Sequence, residues 1–391
     1  MKKELIKKTE EGFLENFHHK PDSIFLAPGR INIIGEHLDY NHGFVVPAAI
    51  NKYICFCISL NQTKECQIVA LDLNEKIVVD LSKPLQPIHV LWANYILGVL
   101  HELQKQQPLQ GFNLTFSSKV PMGAGLSSSA ALECGVGFAL NDLLNIGLDE
   151  VTIAKIGQKS EHEFVGVKCG IMDQYASVLG RKNHAILLDC VTNTHEYLHA
   201  DFDKYQLLLI DSCVKHSHLT SGYNTRREEI AEGFAIIQQN FPEIKDFRMC
   251  KKEHLLVLKD KMSALVYNRC LFVVEEILRV EKAVHAIENG NTVLLGTLLY
   301  EAHDGLSNLY EVSCEELDFL VNHTRDNDFV LGARMMGGGF GGCTLNLIKK
   351  KKVDAFIENI SEAYKKQYNI DLKAYPIKIS DGVHKYDESI N

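Results

Sequence analysis

Nowhere in the 391 residues is there a run approaching the roughly 18 to 20 apolar residues that a membrane-spanning helix requires. The opening segment, Met1 to Lys8, sets lysines among single apolar side chains and lacks the apolar stretch of a signal peptide. An excess of positive charge is missing too: 41 Lys and Arg against 50 Asp and Glu leave a net charge of −9. That balance opposes non-specific nucleic-acid binding, which draws its free energy from cations displacing counterions from phosphate. No CxxC pair exists to suggest a zinc site, and the 11 cysteines are odd in number and scattered. Free, mostly buried thiols in a reducing compartment follow. The chain is expected to be cytoplasmic, with neither a nucleic-acid nor a membrane partner.

Internal repeats, low-complexity tracts and Pro/Gly/Ser-rich linkers are absent as well, so a domain boundary must be a packed one. With 46% hydrophobic and 23% charged residues the chain can build a substantial core. β-like stretches (Tyr53 to Leu60, Phe112 to Phe116, Leu207 to Ile210) mix with helical ones. Ile96, Val99, Leu100 and Leu103 recur at helical spacing, as do Ile230, Gly233, Phe234 and Ile237, and again Ile277, Val280, Val284 and Ile287. Gly290 suits a helix C-cap, and Ser313 with Glu316 has capping-box spacing. These patterns predict an α+β chain in two lobes, residues 1–195 and 196–391, with the boundary placed to within about 20 residues by pattern alone.

Four segments concentrate polar chemistry. Phe112, Leu114 and Phe116 alternate with polar residues as in a half-buried strand; Pro121, Gly123, Gly125 and Ser127 to Ser129 follow; then Ala130 to Glu133 are good helix formers. A strand, a glycine turn and a helix start let bare N–H groups and a helix dipole meet an anion, as phosphate requires. Neither a Walker A loop nor a dinucleotide fingerprint fits, and a plain turn with a Ser N-cap is the alternative. Between Ala27 and Tyr40, Arg30, Glu36, His37 and Asp39 surround the apolar pair Ile33 and Ile34. This is either a rigid site for a polyol or a solvated turn with a salt bridge. Glu161 shares a helical stripe with Ala154, Gln158 and Val165, a costly place for a carboxylate unless a cation or an internal salt bridge meets it. Asp173, in Gly170-Ile171-Met172-Asp173-Gln174, could accept a hydroxyl proton or cap a helix. Finally, Gly337, Gly339 and Gly342 match G-x-G-x-x-G, yet a strand-like run from Cys343 to Ile348 follows. The loop must approach another backbone or a ligand, or form a tight turn.

Together these segments resemble the GHMP small-molecule kinases, and within them the galactokinase family, from Ala27 to Cys343. The stretch G-R-I-N-I-I-G-E-H-L-D-Y (29–40) is similar to that family's signature, and V-P-M-G-A-G-L-S-S-S-A-A-L-E (120–133) to the superfamily's ATP loop. G-I-M-D-Q (170–174), S-G-Y-N-T-R-R (221–227) and G-G-G-F-G-G-C (337–343) complete the set in the same order. The resemblance implies a ribosomal-S5-like N-lobe and a ferredoxin-like C-lobe with the active site between them. It implies ATP and Mg²⁺ as cofactors, and phosphorylation of the anomeric C1 hydroxyl of galactose to galactose 1-phosphate and ADP. Glu36, His37, Asp39, Gly170, Asp173 and Tyr223 would contact the sugar, Asp173 and Arg30 being catalytic. Gly123, Ala124, Gly125, Leu126, Ser127, Ser128 and Ser129 would wrap the nucleotide, and Ser129 and Glu161 would hold the metal. A monomer or weak homo-oligomer is expected. Two departures stand out: Leu38 where the family usually has Thr, and Met336 where Thr is common. A kinase for N-acetylgalactosamine and a non-catalytic galactose/ATP sensor are the alternatives; resembling sensors lack a Ser-Ala pair that is present here as Ser129-Ala130.

Overall fold

A computed structural model describes residues 2–121, 123–202, 204–215 and 219–387; Met122 of the ATP-loop motif lies outside them. Helix α1 (Lys2–Phe17) presents Leu5, Ile6, Thr9 and Phe13 inward at helical spacing. The chain then forms β1 (Ser23–Asn32), β2 (Phe44–Val45), β3 (Pro47–Leu60), β4 (Glu65–Ala70) and β5 (Glu75–Asp80), α2 (Leu91–Gln104) and β6 (Phe112–Ser118). Helices α3 (Ser128–Leu143), α4 (Glu150–Ser160) and α5 (Met172–Leu179) follow, then the hairpin β7 (His184–Asp189) and β8 (His195–His199). The second half runs β9 (Tyr205–Lys215), α6 (Leu219–Asn240), α7 (Lys252–Leu258), α8 (Ala264–Glu288), α9 (Thr292–Asn308) and α10 (Glu315–Arg325). It ends with β10 (Val330–Met335), β11 (Gly341–Lys349), α11 (Val353–Tyr368), β12 (Lys373–Ile377) and β13 (His384–Lys385).

The first sheet has the order β13-β1-β3-β6-β4-β5 and is antiparallel except where β4 runs parallel to β6. Its two faces are both covered, by α1 on one side and by α3 and α5 on the other. The half-buried reading of β6 is therefore corrected: polar Thr115 is fully buried beneath α1, its hydroxyl donating to the Thr9 carbonyl at 3.1 Å. The second sheet, β10-β11-β9-β12, is wholly antiparallel and packs Leu208 and Ile210 against Phe356, Ile360 and Tyr364 of α11. A short third sheet joins β2, β7 and β8. The C-terminal β13 returns to pair with β1.

Several local readings hold: α2 spans the segment whose apolar spacing predicted it, and Gly290 takes a left-handed φ of 63° just past α8. The Ser313–Glu316 capping box does not form. Cys314 is the N-cap of α10, and the Ser313 hydroxyl donates instead to Asp318 Oδ1 at 2.6 Å. All 11 cysteines are free, and no helix among the described residues is long and apolar enough to cross a membrane.

Candidate active site

Between β6 and α3, Gly123 and Gly125 both adopt φ of 73°, a region in which side chains are strained. Ser127 reaches φ 53° despite its side chain, held there by a hydrogen bond from its hydroxyl to Asp173 Oδ2. Helix α3 then starts with no side chain capping its first amides, leaving those donors for an external acceptor. The second glycine loop explains itself on this loop. A Cβ on Gly337 would lie 3.3 Å from the Gly125 Cα, and one on Gly342 would lie 3.4 Å from Ala124. The two loops thus lie against each other, and what calls for glycine at both positions is the left-handed backbone, φ 82° at Gly337 and 84° at Gly342. Both loops line a cleft of about 800 Å³, with Leu73, Trp92, Tyr95, Phe116 and Tyr375 forming an apolar, aromatic wall. Sequence reading missed that wall; the chain's one tryptophan, at the start of α2, was the available signal.

Arg30 enters from β1. The ladder with β3 slips between Pro28 and Arg30, and a Cβ on Gly29 would meet the Leu126 carbonyl at 2.9 Å. This bulge re-aims the strand against the phosphate loop. The Arg30 Nε and Nη2 donate to Asp173 at 2.6 and 2.8 Å, and Nη1 donates to the Gly125 carbonyl. Burial works to lower the Arg30 pKa, but the charge and hydrogen bonds of Asp173 outweigh it and the net shift is upward. Asp173 sits in the first turn of α5 and is not its N-cap, which is Ile171.

Beyond Asp173 lies a second, smaller cavity of about 190 Å³, whose lining includes Arg30, Glu36, His37, Asp39, Glu161, Gly170, Asp173 and Tyr223. Gly338 lines both cavities, and the Ser127–Asp173 hydrogen bond spans their junction. The two cavities therefore share a wall. Gly170 has no room for a side chain: a Cβ there would fall 2.0 Å from Asp39 Oδ2. Burial, then the charges of Asp173 and Glu36, push the Asp39 carboxyl up to about 7. Burial, then Arg226 and Arg334, push His37 down to about 3, so its ring is neutral. His37 Nδ1 is 2.8 Å from the Tyr40 hydroxyl, and Nε2 is buried, the Gly338 backbone being the polar group that the ring meets besides. Tyr223, on α6, is raised well above its usual pKa by burial and then Asp39.

Glu36 is tied across the lobes. Its Oε1 accepts from the Gly337 amide at 2.8 Å and from both terminal nitrogens of Arg334 at 3.2 Å; its Oε2 accepts from Asn32 at 3.0 Å. Arg334, on β10, is fully buried and also donates to the carbonyls of Asn32, Ile33 and Met335. Nothing in local sequence pattern connects Arg334 to the 29–40 segment. Leu38 is wholly buried in the core, whereas Met336 lines the larger cleft.

The continuous helix expected through Val165 is corrected. It is α-helical to Ser160, then opens into a π turn over Glu161–Val165 that stops at left-handed Gly166. Glu161 accepts hydrogen bonds from Gln174 at 3.0 Å, from Cys169 at 3.4 Å and from Ser129. Burial, then Asp173, raise its carboxyl to about 7. Gln174 bridges onward to fully buried Glu133 at 3.3 Å, and burial, then Glu161, hold Glu133 well above the carboxylate range. No salt-bridge partner for Glu161 is found among the described residues. The site thus combines an anion-ready loop, an Asp–Arg pair and a small polar pocket, which suits group transfer from a phosphate ester to a hydroxyl.

Known families match along the chain: the galactokinase galactose-binding signature over residues 11–60, the GHMP kinases N terminal domain over 94–181 and the GHMP kinases C terminal region over 283–366. The galactokinase of Thermotoga maritima is 41% identical over 360 residues, covering 92% of this chain and 99% of its own. That of Glaesserella parasuis is 36% identical over 387 residues, covering 97% and 98%. The crystal structure of Lactococcus lactis galactokinase complexed with galactose superposes with a TM-score of 0.92 at 32% identity, covering 97% of this chain and 99% of that one. A Methanococcus jannaschii mevalonate kinase shares the fold at a TM-score of 0.65 and 20% identity, covering 92% and 98%.

Proposed function

The chain belongs to the galactokinase family of the GHMP kinases and phosphorylates galactose with ATP; from that premise we propose which residues do the work. The nucleotide occupies the larger cleft, its base against the aromatic wall and its phosphates on the amides of Gly123 to Ser129. Galactose fills the smaller pocket against Glu36, His37, Asp39, Gly170 and Tyr223, with its anomeric hydroxyl at Asp173. The observation that carries this reading is the junction of the two cavities at Ser127, Asp173 and Gly338.

In the transfer, a bond forms between the sugar's C1 oxygen and the γ-phosphorus while the bond from that phosphorus to the β,γ-bridging oxygen breaks. The hydroxyl proton passes to an Asp173 oxygen, and ADP leaves. The transition state is loose, so orientation is the larger contribution, about 7 to 11 kcal/mol, against about 10² to 10⁴ in rate for the base. Arg30 orients Asp173 through two hydrogen bonds and brings positive charge to the point where the phosphoryl crosses. Its planar fork makes both contacts at once, which a lysine cannot reproduce.

Mg²⁺ fits Ser129 and Glu161. They are already hydrogen-bonded to each other at the foot of the phosphate loop, and hard oxygen donors are what this ion takes. Glu161 is a buried carboxylate among like charges, a setting a cation relieves. When bound, the ion neutralises charge on the nucleotide phosphates.

The test is ADP release in a coupled assay with MgATP and galactose, N-acetylgalactosamine, mevalonate or homoserine as acceptor. Turnover confined to galactose supports the assignment of the smaller pocket. Turnover on the acids instead would reject it.

A further inference from the structure

Helix α9 runs beside β10, the outer strand of the second sheet. The two meet through glycine: a Cβ on Gly296 would lie 2.3 Å from the Leu331 carbonyl, and one on Gly332 would lie 2.1 Å from the Gly296 carbonyl. Seven helical residues further on, an advance of about 10 Å, stands His303; three residues of strand cover about the same distance, from Gly332 to Met335. An outer strand has amides that face no partner strand. Met336 donates inward, to the Cys343 carbonyl at 3.0 Å, so the Met335 N–H points out of the sheet, where His303 Nδ1 accepts it at 3.2 Å. Met335 is fully buried, and an unpaired amide there costs about 1 to 3 kcal/mol.

Each ring nitrogen of His303 is assigned by its own partner. Nδ1 meets an amide N–H, so it carries no proton. Nε2 lies 3.1 Å from Asp318 Oδ1. Burial opposes the Asp318 charge, but hydrogen bonds from His303, Ser313 and Ser307 outweigh it and hold the carboxyl below its usual pKa. Two acceptors do not face each other at that distance, so Nε2 bears the proton and donates it. Ser313 and Ser307 donate to the same carboxylate at 2.6 and 2.9 Å.

The residues after Met335 line the two cavities: Met336 the larger, Gly338 both, while the Gly337 amide donates to Glu36 at 2.8 Å. At the far end of this loop the Phe340 amide donates to the Val312 carbonyl at 2.7 Å, next to Ser313. One carboxylate therefore reaches both ends of the loop, its start through His303 and its finish through Ser313. We infer that His303 and Asp318 are positioning residues, which fix the second glycine loop where its amide meets Glu36 and its backbone meets the phosphate loop. The inference rests on the two cavities holding nucleotide and galactose.

Substitution separates the two ring nitrogens. An asparagine oxygen takes the place of Nδ1 and keeps the Met335 contact, whereas a glutamine reaches only the place of Nε2. His303→Gln should raise the galactose and ATP KM about 3- to 10-fold each, while His303→Asn should leave both within twofold. If the asparagine variant is impaired as much as the glutamine one, or if neither KM moves, the positioning role is rejected. Long-range ¹H–¹⁵N correlation on histidine-labelled native protein reads the tautomer without kinetics; His303→Gln removes the signal, and Asp318→Asn shifts it if the first variant does not fold. A proton on Nε2 is expected. A proton on Nδ1 would overturn the inference while leaving galactose turnover, and so the functional assignment, intact.

Discussion

Asp39 is the group whose environment bears most on both stability and binding. Its carboxyl is moved from 3.8 to about 7 by burial, then by Asp173 and Glu36. The folded chain consequently holds a proton there that the unfolded chain has released, at every pH between those values. The sign is that of a raised acid: the stabilisation is full below about pH 4 and is lost as pH rises to 7. At 1.36 kcal/mol per pH unit the loss at pH 8 is about 4 kcal/mol, whereas at pH 5 it is about 1 to 2 kcal/mol. Asp39→Asn removes this penalty, although the buried amide must still satisfy its own donors at about 1 to 3 kcal/mol. The variant should therefore be about 2 kcal/mol more stable than the native chain at pH 8 and level with it, or slightly weaker, at pH 5. Urea unfolding of the ligand-free protein, followed by the fluorescence of its single tryptophan, Trp92, at the two pH values measures the difference. Galactose affinity should move the other way, the KM rising about 10- to 100-fold on loss of a charged acceptor. A variant less stable than native at pH 8, or a difference that ignores pH, would refute the reasoning.

Three further outcomes are expected. Asp173→Asn should lower kcat about 10²- to 10⁴-fold with the ATP KM unchanged; near-native ADP release would remove the base role. Gly170→Ala places a methyl group 2.0 Å from Asp39 Oδ2, so calorimetry should show galactose binding at least about 10-fold weaker with ATP binding kept; unchanged sugar affinity would mean the pocket lies elsewhere. Arg334→Ala strands the buried Glu36 charge and should cost about 3 to 5 kcal/mol of unfolding free energy, read by urea denaturation; a loss under 1 kcal/mol would show that Glu36 is paired some other way.

Where a segment organises itself locally, sequence anticipated it. The apolar spacing of α2, the run that becomes β9 and the strand–glycine–helix order at 112–143 all depend on neighbours a few residues away. The 29–40 cluster announced polar chemistry, but its partners did not: Arg334 and Tyr310 come from about 300 residues downstream, and no periodicity links them. Glu161 was legible as a carboxylate on the wrong face. The π turn that carries it was not, because an extra residue in one turn leaves no mark on a 3.6-residue pattern. Ser313 does not cap α10 because the chain enters the helix one residue later, at Cys314, which leaves the Ser313 hydroxyl to donate to Asp318 Oδ1.

The interlocking of the two glycine loops, with Arg334 bolted to Glu36 beside them, limits how the enzyme can breathe during turnover. A clamshell that swung its halves apart would have to unseat a dehydrated ion pair and pull glycine backbones out of van der Waals contact on every cycle. Motion that spares both contacts, in the side chains lining the two cavities, is the less costly way to admit substrate and release product.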